Sequence, residues 1–170
     1  MKTITAAIHP AMPNALFTPS PASCRAEEKG DTVILSNRFL AVDIGRRTGV
    51  IRTIVNQLTG ERFDADGDCA GFICDGGQWL TSADSPHEFE LMISADAEQA
   101  KVVFSTRSDG MVIALVYELR RDRFWIERRL NLTPGRVPVR LQHLFYGAGR
   151  RPGIRTSHQE LRLGDYDRPR

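Results

Sequence analysis

The chain has 170 residues, of which 41% are hydrophobic and 26% charged, and its formal net charge at pH 7 is +2. These values are typical of a globular protein with one core and argue against an intrinsically disordered chain. Apolar runs stay well below the roughly 20 residues of a membrane-spanning helix, and the arginines are interleaved with acidic residues, so we expect neither a membrane nor a nucleic acid as partner.

Residues 1–30 are rich in proline and small polar residues, which predicts a flexible N-terminal arm. The first apolar residues are interrupted by His9, Pro10 and Pro13, so they lack the sustained apolar region of a secretory signal. The compartment is not determined by the sequence, although the missing signal favours the cytoplasm.

Short apolar segments separated by turn residues follow from Thr32 onward, and a helical period of useful length is missing. This pattern predicts an all-β domain over residues 31–147, then an edge strand and a basic tail over residues 148–170. The predicted strands are 32–36, 39–44, 50–56, 70–74, 88–95, 101–107, 111–120, 125–133, 137–146 and, more weakly, 154–163.

The stretch AVDIGRRTGV, residues 41–50, raises two alternatives, a glycine-framed phosphate cradle or the turn of a β-hairpin. A phosphate cradle leads into a helix N-terminus, whereas this loop leads into the β-branched run of residues 50–55. We therefore predict a hairpin in which Gly49 supplies a positive φ, with Arg46 and Arg47 at its solvated tip.

Alternation along residues 111–120 and 125–133 predicts how these two strands pair, because one apolar face must be continuous. The predicted partners are Ile113 with Leu132, Leu115 with Leu130, and Leu119 with Ile126. Pro134 and Gly135 are expected to turn the chain so that residues 137–146 extend this meander. The earlier strands would cover its apolar face, which gives a two-layer antiparallel β-sandwich.

The segment LSNRFLAVDIGRRTGVIRTIVNQLTGERF, residues 35–63, resembles the opening of the galactose-mutarotase-like β-sandwich, or supersandwich, domain. Residues 116–134 are similar to a later hairpin of that family. The positions that match the family pattern in the first segment are Leu35, Asn37, Phe39, Val42, Gly49, Ile51, Ile54, Thr59 and Gly60.

This resemblance implies a β-sandwich, possibly a shortened supersandwich because the family domain is usually longer. Such domains occur in glycoside hydrolases, in α-mannosidase-type enzymes and, alone, as aldose 1-epimerases. The histidine pair and glutamate of free-standing epimerases cannot be placed in this sequence, so the resemblance assigns no catalytic residue.

A first candidate carbohydrate site is GGQWLTSADSPHEFE, residues 76–90, which is interpreted as a loop because Pro86 interrupts it. It brings together Trp79, Asp84, His87 and Glu88. An exposed tryptophan stacks on sugars, and histidine or carboxylates bind hydroxyls or transfer protons. The alternative is that Trp79 closes the end of the sandwich and the other three are solvated.

A second candidate site follows from the predicted register, which places Arg128 opposite Tyr117 on the apolar face, near His143. Three hydrogen-bonding groups where apolar residues are expected could line a polar sugar-binding pocket. The alternative is an ordinary buried histidine in a hydrogen-bonded niche.

Cys24, Cys69 and Cys74 are interpreted as ordinary thiols, because a closed zinc site needs four ligands and the two nearest cysteines lack a second pair. The usual nucleophile, nucleotide and zinc motifs are missing. We expect neither a metal nor a cofactor, and the oligomeric state stays open.

The function that these observations favour is a carbohydrate-associated domain, the non-catalytic or substrate-shaping part of a glycoside hydrolase-like enzyme. The alternatives are a stand-alone sugar-binding or structural module and a minimal aldose 1-epimerase. The sequence leaves open whether the chain is an enzyme.

Overall fold

The computed structural model describes residues 23–74, 77–108 and 110–133, and the backbone alone of residues 141–147. All regular structure in these ranges is β and every pair of strands is antiparallel, which confirms the predicted all-β, sandwich-type fold. The strands are β1 (Arg25–Lys29), β2 (Thr32–Ser36), β3 (Leu40–Gly45), β4 (Ile51–Asn56), β5 (Arg62–Asp64), β6 (Cys69–Cys74), β7 (Gly77–Ser82), β8 (Glu90–Ala95), β9 (Gln99–Ser108), β10 (Met111–Arg120), β11 (Glu127–Thr133) and β12 (Leu141–Gly147).

The described strands form three sheets. β1 to β5 follow one another in a five-stranded sheet, and β8 to β11 form a four-stranded meander in the order β11-β10-β9-β8. A smaller sheet has the order β12-β6-β7. In the two larger sheets, strands that follow one another along the chain are neighbours. In the smaller sheet, β12 pairs with β6, a strand from the middle of the sequence.

The core is built from alternate residues of all three sheets, as expected when each sheet buries one face. Its fully buried side chains include Val33, Leu35, Val42 and Ile44 of the five-stranded sheet, Phe104, Ile113, Leu115, Tyr117 and Leu119 of the meander, and Phe72 of the small sheet. Trp79 and Phe89 complete this core.

The predicted pairing of the longest hairpin is confirmed. Ile113 lies opposite Leu132 and Leu115 opposite Leu130. The same register places Arg128 opposite Tyr117, on the core side of the sheet. Alternation sets this register because a slip by one residue would turn every leucine of the pair to solvent.

The placement predicted for the last described strand is wrong. β12 pairs with β6 rather than with β11, and β8 is the fourth strand of the meander. Alternation shows which face of a strand is buried but not which sheet edge it joins. Residues 134–140, which connect β11 to β12, and the strand predicted over residues 154–163 lie outside the described residues.

Three strands are additional to those predicted. β1 lies inside the segment 1–30 predicted as an arm, because its charged and mostly exposed sequence pairs with β2 without an apolar alternation. β5 has only three residues, and β7 lies inside the segment interpreted as a loop. Residues 1–22 and 148–170, the other parts of the predicted arm and tail, are outside the described residues.

The loop between β3 and β4 is a hairpin turn, as predicted. Gly49 has φ of +62°, and its N–H donates to the carbonyl of Gly45 at 2.7 Å. At the tip, Arg46 forms an ion pair with Glu28 and Arg47 is exposed. Gly49 itself is buried, and a Cβ there would lie 3.1 Å from Leu115 Cδ1.

Glu118 lies on the outer face of the meander, yet its side chain is only 6% exposed. Arg120 Nε donates to its carboxylate at 2.8 Å and Arg129 Nη2 at 2.6 Å. Burial alone would raise the pKa of Glu118, but the hydrogen bonds and charges of the two arginines outweigh it and hold that pKa below its usual value.

We expect Gly49→Ala to destabilise the protein by about 2–4 kcal/mol, because a left-handed alanine is strained and its methyl group would crowd Leu115. Gly30→Ala is the matched control. Gly30 has a similar φ of +59°, but a Cβ there would have no heavy atom within 4 Å. Urea unfolding of both variants measures the difference, and equal losses of stability would contradict the packing argument.

We expect Glu118→Gln to cost about 1 kcal/mol at pH 7, because a neutral amide gives up two charge-assisted hydrogen bonds. A carboxyl whose folded pKa is lowered stabilises the fold above its unfolded pKa, and this contribution is lost as the pH falls through the folded pKa. The stability difference between wild type and variant should therefore shrink below about pH 4.3. Unfolding curves between pH 3 and 7 test this, and a constant difference would contradict it.

Candidate functional site

The residues that the sequence selects lie in two parts of the fold. Trp79 is in β7; Asp84, His87 and Glu88 are in the connection from β7 to β8; Arg128 is in β11; and His143 is in β12. The structure describes the first five of these side chains and only the backbone of the sixth.

Trp79 is a strand residue of the core and not an exposed loop residue. Its side chain is 5% exposed and stacks on Phe72, with ring centroids 5.8 Å apart. The interpretation of this segment as a loop is therefore wrong at Trp79, because β7 pairs along its whole length with β6. The alternative, a tryptophan that closes the end of the core, describes its position.

A series of six aromatic rings in contact runs from the small sheet to the meander. Neighbouring ring centroids are between 5.2 and 6.0 Å apart. In order, the rings are those of Phe72, Trp79, His87, Phe89, Phe104 and Tyr117. His87 and Phe89, both in the β7–β8 connection, link the rings of the small sheet to those of the meander.

Two hydrogen bonds hold His87 in addition to its ring contacts. Its backbone N–H donates to the carbonyl of Arg47 in the β3–β4 turn at 2.6 Å. Its ring Nε2 lies 2.8 Å from the carbonyl oxygen of Leu80 in β7. The connection between β7 and β8 is thereby attached both to the small sheet and to the β3–β4 turn.

A concavity of about 420 Å³ opens beside His87. It is lined by residues 78–80 of β7, by Ser85 and His87, and by residues 106–108 at the end of β9. Because β8 begins at Glu90, opposite Ser105, the last residues of β9 extend past β8 and leave space there. The lining combines residues that carry amide, hydroxyl, imidazole and guanidinium groups with Trp79, of which only a small part is exposed.

Asp84 and Glu88 are exposed, and neither lines this concavity. The structure therefore brings Trp79 and His87 together but does not add the two predicted carboxylates to them. Gln78, Ser85 and Thr106 are lining residues that the sequence did not single out. Thr106 comes from a strand 19 residues after His87 along the chain, a proximity that only the fold produces.

The second candidate region contains a buried ion pair. Asp68 is 1% exposed and Arg128 13% exposed, and Arg128 Nη1 lies 2.9 and 2.8 Å from the two carboxylate oxygens. Arg128 Nη1 is also 3.4 Å from the hydroxyl of Tyr117. The predicted proximity of Arg128 and Tyr117 is thus confirmed, and Asp68 is the partner that the sequence missed.

Two further hydrogen bonds make this cluster part of the fold. Asp68 accepts the backbone N–H of Ile51 at 2.7 Å, and Tyr117 donates to the carbonyl of Gly49 at 2.6 Å. Burial raises the pKa of Asp68, opposed by the charge of Arg128. Burial would lower the pKa of Arg128, but Tyr117 and Asp68 outweigh it and raise that pKa, so the guanidinium stays charged.

His143 lies opposite Ile73 in the pairing of β12 with β6, rather than beside β11 as predicted. Its side chain is outside the described residues, so its proximity to Arg128 stays a prediction. Its backbone position nevertheless places it on the small sheet, one strand from β7.

The turn between β10 and β11 exposes an aromatic pair. Phe124 is 71% and Trp125 39% exposed, and their rings meet edge to face at 5.0 Å. The guanidinium of Arg123 lies 4.7 Å from the centre of the Trp125 ring. This pair, unlike Trp79, offers aromatic surface to solvent.

Within the described ranges, three or more histidine, cysteine or acidic side chains never gather as a metal site would require. Cys24 and Cys74 are thiols, as predicted, and the structure places both in buried positions. Among these same residues, the chain forms no helix that is long and apolar enough to span a membrane.

We expect Arg128→Met to destabilise the protein by about 3–5 kcal/mol, because it leaves the buried carboxylate of Asp68 without its cation. Arg121→Met is the control, since the Arg121–Glu98 pair is exposed and such pairs contribute about 0–1 kcal/mol. Thermal and urea unfolding measure both.

The double variant Asp68→Asn/Arg128→Met separates the loss of packing from the isolated charge. It should be more stable than Arg128→Met alone, because the uncompensated carboxylate is gone. A double variant that is less stable than the single one would contradict this account of the cluster.

The chain matches no model of a known protein family and no curated protein. The resemblance to the galactose-mutarotase-like domain therefore stays a prediction. The features of the structure that bear on function are the concavity beside His87 and the chemistry of its lining.

Proposed function

We propose that this chain is a carbohydrate-associated β-sandwich domain that binds a saccharide in the concavity beside His87. The observation that carries the proposal is the composition of that lining. Gln78, Ser85, His87 and Thr106 supply hydrogen-bonding groups next to the small exposed part of Trp79. A saccharide has both kinds of surface, hydroxyl groups on its rim and C–H groups on its ring faces.

The size of the concavity supports a small ligand. Its volume of about 420 Å³ lies in the range of about 300–1,000 Å³ typical of small-molecule sites. The hydrogen-bonding groups come from three segments of the fold, namely β7, the β7–β8 connection and β9.

The lining favours binding over turnover. Hydrolysis of a glycosidic bond usually needs two carboxyl groups on either side of it, and none of the lining residues that the structure describes carries one. We therefore assign the chain the non-catalytic role, either as the substrate-shaping part of a glycoside hydrolase-like enzyme or as a sugar-binding module. Sequencing of the reading frame around the chain distinguishes these two.

A glycan array with wild type and Gln78→Ala tests the site. Gln78 is an exposed residue of β7 whose amide can bond to a sugar hydroxyl, so its loss should weaken binding about five- to tenfold. Asn131→Ala is the matched control, because Asn131 is an exposed amide on β11 that does not line the concavity.

Two results would overturn the proposal: wild type that binds no glycan, or Gln78→Ala that binds as wild type does. Trp125→Ala is included to locate the ligand. If this variant loses binding while Gln78→Ala keeps it, the saccharide lies on the exposed pair of Phe124 and Trp125 instead.

A further inference from the structure

The position of the proton on the His87 ring follows from the atom that Nε2 faces. That atom is the carbonyl oxygen of Leu80, 2.8 Å away. A carbonyl oxygen can only accept a hydrogen bond, so Nε2 must carry a proton. In the neutral ring the other nitrogen, Nδ1, then has a lone pair and accepts.

Nδ1 of His87 is open to a ligand. It has no hydrogen-bond partner in the described part of the chain. The buried polar side-chain atoms that lack a partner there include Thr48 Oγ1 and Trp79 Nε1 but not Nδ1, so Nδ1 is not completely buried. His87 lines the concavity, which is the open space next to the ring.

The ring cannot easily turn to offer a different atom. It lies between Trp79 and Phe89, with centroid distances of 5.2 and 5.5 Å. A flip of the ring would break the bond to Leu80 and leave a carbonyl at the edge of β7 without that donor. The orientation of Nδ1 is therefore set by the protein before a ligand arrives.

The charges around the concavity help to indicate which kind of ligand group donates a hydrogen bond to His87 Nδ1. Among the described lining residues Arg107 is the charged one, and alternation along β9 places its side chain on the opposite face of the strand from Thr106. An accepting lone pair disfavours a carboxylate or phosphate oxygen, because such an oxygen has no proton to donate. It favours a neutral group that donates a proton.

We infer that His87 Nδ1 is a fixed acceptor that selects one free hydroxyl group of a neutral saccharide as its donor. This inference rests on the proposed function and adds to it a specificity-determining residue and a ligand class. A sugar that lacks the hydroxyl, or carries a carboxylate at that position, should bind more weakly.

The ring can be tested without a ligand or a variant. Two-bond ¹H–¹⁵N correlation spectra of the full chain show which nitrogen of each imidazole carries the proton, and comparison with His87→Gln assigns the His87 signals. We expect the Nε2–H form at neutral pH. A proton on Nδ1 would overturn the inference while leaving sugar binding itself untouched.

Binding is measured by titration with methyl glycosides of glucose, galactose and mannose and with their monodeoxy analogues. For one position of a bound glycoside, removal of the hydroxyl should weaken binding to wild type about five- to tenfold and should shift the Nδ1 resonance. If every monodeoxy analogue of a bound glycoside binds equally well, the inference is wrong.

Two variants separate the acceptor from the structural bond. His87→Gln can still donate to Leu80 but places no acceptor at the Nδ1 position, whereas His87→Asn can place its carbonyl oxygen there. We expect His87→Asn to keep the preference for the hydroxyl and His87→Gln to lose it, with melting temperatures recorded for both. The opposite order would overturn the inference. If no glycoside binds to a chain with the Nε2–H ring, the proposed function fails instead.

Discussion

Three consecutive backbone carbonyls in the β3–β4 turn hold the parts of this fold together. The carbonyls of residues 47–49 accept hydrogen bonds from the backbone of His87, the hydroxyl of Thr81 and the hydroxyl of Tyr117, respectively. These donors belong to the β7–β8 connection, the small sheet and the meander. One turn of the five-stranded sheet thereby fixes the position of every other part that surrounds the concavity.

This arrangement depends on a glycine, because the turn must bend sharply where it is also most tightly packed. Gly49 adopts the left-handed conformation, and a Cβ at this position would lie 3.1 Å from Leu115 and 3.4 Å from Phe89, which leaves little room for a side chain. The arginines of the same turn have a different role. Arg46 pairs with Glu28, and Arg47 contributes its carbonyl rather than its charge. The β3–β4 turn, whose glycines and arginines suggest an anion site, thus serves to connect parts of the fold.

Alternation along the chain was enough to predict the fold class, the pairing of β10 with β11 and the hairpin at Gly49, because each depends on neighbouring segments. It could not predict that β12 joins β6, since a strand with one apolar face fits any sheet edge that continues the core. Asp68 was missed for a similar reason. Its partner Arg128 is 60 residues away, and the last of three closely spaced aspartates in a turn segment looks like any solvated residue. Of the residues that line the candidate site, the sequence predicted only His87 and Trp79, which lie in one segment. It could not predict Thr106, because only the fold brings that residue close to the other two.

The buried ion pair and the candidate site illustrate two uses of polar groups in one core. Asp68 and Arg128 bond to each other, and Asp68 also accepts the backbone N–H of Ile51. These hydrogen-bonding groups are therefore used within the fold. His87 satisfies only one of its two nitrogens within the described chain, and the residue lines the concavity. Because the ring is already ordered by Trp79 and Phe89, a ligand that bonds to it need not immobilise it, and less binding free energy is lost to ordering. The contacts that order the His87 ring are therefore the same contacts that build the core around it.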